Sequence, residues 1–190
     1  MTAERLACAS SKEWLAWLKA NHASSTGIWL VIGKKGHAAT VTYAEAVEAA
    51  LSWGWIDGQK QSHDAAAYLQ RFSPRSARSI WSKINREKAL KLIADGQMKP
   101  AGLSEVERAR KDGRWDQAYD SPRTAQVPED LAEALSANKK AAAFFAQLDG
   151  ANRYAILWRV QTAKKPETRQ KRIELFVAML AKGETIHPRK

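Results

Sequence analysis

Cysteine, acidic charge and long apolar runs are what this 190-residue chain has least of. A single cysteine, Cys8, excludes an internal disulfide framework and fits a reducing compartment. No stretch approaches the ~18 consecutive apolar residues that a membrane span needs. The opening MTAERLACASSKEW lacks a basic segment followed by an apolar one, so export is not expected and a cytoplasmic location is. The four histidines, His22, His37, His63 and His187, are scattered without metal-ligand spacing, and Cys8 has no histidine in view as a nucleophile's partner. Neither a phosphate-binding P-loop nor a dinucleotide fingerprint occurs. No cofactor or metal is therefore expected, and no catalytic residue can be named. Whether the chain is an enzyme stays open at this point.

What the chain does have is positive charge, +11 overall, distributed unevenly. Residues 138–190 carry twelve Lys/Arg against four Asp/Glu, whereas the first 137 residues carry nineteen against sixteen. Between Arg71 and Lys91 there are seven basic residues and one acid, Glu87, and acids gather instead from Glu105 to Glu133. Such asymmetry favours anionic partners, although a solvated basic face produces the same pattern.

Local signals mark the elements. Ser10 with Glu13, and Thr42 with Glu45, have capping-box spacing and start two helices, one carrying Trp14, Leu15, Trp17 and Leu18 and the other Val47, Ala50 and Leu51. IWLVIGKK reads as a strand. Gly54 closes the second helix, and WIDGQKQ followed by AAYLQRF reads as a hairpin. A helix is expected over residues 79–95 and another from Pro100 to Lys111. The polar, proline-bearing GRWDQAYDSPRTAQVP is the clearest linker, and periodicity beyond it is helical throughout, with Ile173, Phe176, Val177 and Leu180 on one stripe. The expected fold class is α+β: an antiparallel sheet of about three strands covered by helices over residues 1–112, a linker at 113–127, and an all-helical segment at 128–190 packed on the first part.

The densest chemistry lies in GWIDGQ and RFSPRSARSIWSKIN. With the hairpin paired, Asp57 is expected to meet Arg71 across neighbouring strands. Arg75 and Ser79 would stand at the next helix entrance with Asn85, and Trp55, Phe72 and Trp81 would wall the region. Arginine forks beside a helix start favour a small anionic ligand. The same residues also read as structure: a cross-strand ion pair, core aromatics and a cap.

At these residues a family resemblance enters. EAALSWGWIDGQ, RFSPRSARSIWSKINREKALKLIADGQMKPAG and NRYAILWRVQTAKKPETRQKRIELFVAMLAKG together resemble the YdeI/OmpD-associated, bacteriocin-protection family, over about Trp14 to Gly183. The resemblance implies a small α+β domain with a helical C-terminal segment, and the family's name links it to porin association and to resistance against bacteriocins and cationic peptides; it supplies no catalytic residue and no cofactor, and leaves the protein partner of this chain unknown. The leading expectation is a non-enzymatic stress or bacteriocin-protection protein with an anion-binding corner. One alternative is a nucleic-acid-binding module using the basic C-terminal helices, although binding by Lys164, Lys165, Arg169, Lys171 and Arg172 is expected to be weak and nonspecific. An enzyme on a small anionic substrate, with Asp57 as base and Arg71 and Arg75 as clamps, is the other.

Overall fold

Local capping sets the first elements of the computed structural model, which describes residues 4–37 and 40–188. The outermost ends of the two expected parts, residues 1–3 and 189–190, lie outside the described residues. A short strand β1 (Arg5–Ala7) leads into helix α1 (Ser11–Asn21), where the Ser10 side chain accepts from the Glu13 amide. Strand β2 (Ile28–Gly33) follows, then α2 (Tyr43–Ser52), which carries the full Thr42–Glu45 capping box. The hairpin β3 (Trp55–Ser62) and β4 (Ala67–Pro74) is succeeded by α3 (Lys83–Ala94) and α4 (Pro100–Lys111). Four more helices complete the chain: α5 (Glu129–Ser136), α6 (Lys139–Ala146), α7 (Gly150–Gln161) and α8 (Pro166–Ala181).

The α+β class holds, with two corrections to the sheet. It has four strands among the described residues, in the order β1-β2-β4-β3, and it is mixed because β1 runs parallel to β2. Three residues are too few for a period-2 pattern to show, so β1 left no sequence signal. Helix α3 also begins at Lys83 and not at residue 79; Ser76 to Ser79 form a turn closed by Ser79 N–H donating to the Ser76 carbonyl at 3.1 Å.

The chain divides into two compact units, Met1–Trp81 with Asn85–Asp116, and Ser82–Ile84 with Gln117–Lys190. In the first, one sheet face presents Ile28, Leu30, Phe72 and Trp55, all buried with Trp14 and Leu18 of α1 and Val47 of α2. Trp14 lies 5.5 Å from Phe72 and meets Trp55 edge-on, so this core is dominated by aromatic packing. Gly54 ends α2 at φ +75°, and a Cβ there would stand 2.8 Å from the Ala101 carbonyl of α4. Glycine is required at that position twice over, by the turn and by the close approach of α4. In the second unit Leu131, Leu135, Phe145, Ile156, Ile173, Phe176 and Leu180 form one helical core. The apolar stripe of α8 supplies three of these, as its spacing dictates.

Candidate functional site

Strand register decides which of the expected residues meet. Asp57 pairs with Phe72, and Arg71 pairs with Trp29 on β2. Neighbours along a strand point to opposite faces, so Asp57 shares the face of Phe72 while Arg71 takes the other. The expected Asp57–Arg71 ion pair does not form. Asp57 instead accepts from the Tyr43 hydroxyl at 2.7 Å. Arg71 lies with its guanidinium carbon 6.0 Å from the Trp29 ring and donates to the Thr26 carbonyl at 3.5 Å. Between Asp57 and Lys60 the register shifts, so that Gly58 and Gln59 oppose one residue of β4. The buried Gln70 amide fills this bulge, donating to the Gly58 and Gln59 carbonyls at 2.9 and 3.2 Å.

Trp55 and Phe72 belong to the core, 1% and 0% exposed, with the Trp55 indole donating to the His22 carbonyl. Of the remaining expected residues, Arg75, Ser79 and Trp81 converge. Arg75, only 5% exposed directly after β4, sits over Trp81 with its guanidinium carbon 3.6 Å from the ring centroid, and its Nη1 donates to the Ile80 carbonyl at 3.4 Å. Ser79 bounds the same place through its carbonyl, which accepts from Arg114 Nη1 at 2.6 Å. Asn85 is half-buried in the first turn of α3. Because α3 starts at Lys83, neither Arg75 nor Ser79 sits at a helix N-terminus, and no helix dipole favours an anion beside them.

Sequence reasoning missed three members of the corner. Arg108 on α4 donates to the Arg75 carbonyl at 3.3 Å and pairs with Glu105 one turn earlier on α4. Arg114, 6% exposed, grips Asp112 through Nε and Nη2 at 2.7–2.9 Å. Trp115 meets Trp81 at 4.9 Å between ring centroids. Burial pushes the Glu105 carboxyl above the ordinary carboxylate range, and the guanidiniums of Arg108, Arg75 and Arg114 only partly offset it. Asp112 moves the other way, lowered chiefly by its hydrogen bond from Arg114. Three guanidiniums thus face two carboxylates, one of them protonated unusually readily. Within this cluster Trp81 Nε1 and Arg108 Nε are buried without an acceptor among the described residues. The sequence signal for α4's share was the run of arginines before Trp115, which the surrounding acids obscured.

Other chemistry is quieter. Burial pushes the Cys8 thiol up to about 11, so it is protonated at neutral pH and a poor nucleophile. Among the described residues no three His, Cys, Asp or Glu side chains are grouped to hold a metal, and no helix is long and apolar enough to cross a membrane. Of the five C-terminal basic residues, Arg169 is tied to Asp130 and the Val160 carbonyl, and Arg172 to the Arg159 carbonyl; Lys164, Lys165 and Lys171 are exposed.

Two protein-family models match the chain. Residues 6–105 match a domain of unknown function, DUF8412, and residues 124–183 match the family described as bacteriocin-protection, YdeI or OmpD-associated. The resemblance read over Trp14 to Gly183 is therefore carried by that second model on the C-terminal segment only. Neither the curated proteins nor the solved structures yield a match.

Proposed function

We propose, for a chain that belongs to the DUF8412 family over more than half its length and carries a YdeI/OmpD-associated segment behind it, a protection role exerted through binding. The ligand is a small carboxylate or phosphate anion, and the site is the Arg75–Trp81 corner. One observation carries this reading: buried donors on Trp81 and Arg108 have no acceptor among the described residues, beside three guanidiniums that outnumber their carboxylates. Arginine forks match planar, doubly accepting anions, and a low-polarity wall of two indoles strengthens each such hydrogen bond. The arginines are each held by protein partners, which suits fixing charge in place and not moving protons. With a net charge of +11 the protein repels cationic peptides, so protection against them runs indirectly, through the bound anion.

Malonate and inorganic phosphate are the probes, read by tryptophan fluorescence on the full chain. Arg108→Gln removes a part-exposed guanidinium and is expected to weaken binding about tenfold while the fold survives. Equal affinity in wild type and Arg108→Gln would sink the reading.

A further inference from the structure

A second cationic surface of the first unit lies at the end of the sheet near the β3–β4 turn. Two hollows of about 650 and 330 Å³ open there, and both are bounded by Gly33, Lys34, Lys35 and Tyr68. Lys60 lines the larger, and His37 and Tyr43 the smaller; no carboxylate lines either. Among the described residues none of the three lysines has a carboxylate within 4.0 Å. The acids nearby are held mainly by other groups. Asp64 is held chiefly by the Ala66 and Ala67 amides, with His63 at 3.6 Å and a weaker attraction to Lys34, while Asp57 accepts from Tyr43 and Glu45 from Thr42.

Two of these lysines are also held in place, which exposed lysines seldom are. Lys34 Nζ donates to the Asp64 and Ala65 carbonyls at 2.7 and 3.3 Å, leaving its third N–H. Lys60 Nζ rests 3.9 Å from the Tyr68 ring centroid. Holding a cation before a ligand arrives reduces the ordering cost of binding it. Ammonium groups are compact point charges, suited to phosphate oxygens spread over a width that a single carboxylate cannot span. We infer that this concavity binds an oligophosphate group, either free or carried by a nucleotide. The site is distinct from the Arg75 corner and does not depend on it.

Tripolyphosphate and ATP are titrated against the intact protein by calorimetry at moderate salt. Lys35→Ala and Lys60→Ala, which spare the turn held by Lys34, are each expected to weaken tripolyphosphate binding about tenfold. Arg108→Gln is expected to leave it unchanged. A triple Lys164→Ala, Lys165→Ala, Lys171→Ala variant removes more charge from a different surface and is the control for bulk attraction. A loss in that control equal to the loss in Lys60→Ala overturns the proposal, as does full affinity in both single variants. ATP binding more tightly than tripolyphosphate assigns the site to nucleotides, through an added contact of the base; equal binding assigns it to the phosphate chain alone.

Discussion

Arg75 over Trp81 and Lys60 over Tyr68 bring together the same two ingredients, a cation and an aromatic face, at 3.6 and 3.9 Å. Everything around them differs. Arg75 and Trp81 are 5% and 2% exposed, and a second indole and two further arginines close the cluster. Lys60 is exposed, and its ring lines an open hollow. A cation–ring contact gains from desolvation, so the enclosed pair contributes to stability while the open one chiefly orients a charge. The contact itself does not tell which role it serves; the surroundings do.

The largest expected effect tests that contrast. Trp81→Ala removes a buried indole and leaves Arg75 without its platform, at a cost of about 3–5 kcal/mol. For a chain of this length that is a fall in melting temperature of roughly 6–20 °C. Lys60→Met is expected to cost less than about 1 kcal/mol. Calorimetric melting of both variants decides the matter, and comparable losses would abolish the distinction between the assemblies.

A smaller effect concerns acid. Burial raises the Glu105 carboxyl in the folded state above its ordinary value of 4.5. The folded protein therefore binds that proton more tightly than the unfolded chain does. Its stabilising contribution is complete below 4.5 and is lost as pH rises through the higher folded value. Asp112, lowered by Arg114, contributes in the opposite sense: present above 3.8 and lost as pH falls through its folded value. In Glu105→Gln the first dependence disappears. The melting temperature of wild type minus that of Glu105→Gln should thus shrink from pH 4.5 upward, by a few degrees at most. A difference that grows with pH would show that the Arg108 pairing outweighs burial.

Local features were legible in the sequence because their causes are local. The Thr42–Glu45 capping box, Gly54 after α2, Pro100 opening α4 and the stripe on α8 each rest on residues within a turn or two of one another. Features set at long range were not. Strand β1 pairs with β2 more than twenty residues away, and three residues carry no pattern of their own. The bulge at Gly58 and Gln59 depends on Gln70 across the hairpin, and with it the true register of Asp57. Arg75, Ser79 and Trp81 were visible as a dense local motif, whereas Arg108 reaches Arg75 across 33 residues of chain and Arg114 reaches Ser79 across 35. A site built on one stretch can be read from that stretch; the half supplied by another helix cannot.

Asp57 offers the finest discrimination between the two assemblies. Its carboxylate was expected to orient Arg71, yet it accepts from Tyr43, whose ring borders the lysine-lined hollow. Asp57→Asn keeps an acceptor for the Tyr43 hydroxyl and loses only a charge at a partly exposed position. Its cost in stability should be within about 0.5 kcal/mol, below 2 °C in melting temperature. Malonate binding at the Arg75 corner should not change, because the bond to Tyr43 places this carboxylate in the other assembly. Tripolyphosphate binding should strengthen, by no more than about threefold, since a negative charge near the hollow has been removed and salt screens what remains. The sign of that change is the informative quantity. A loss of malonate binding in Asp57→Asn would restore Asp57 to the arginine corner, and weaker tripolyphosphate binding would mean that Asp57 positions Tyr43 for the ligand instead of repelling it.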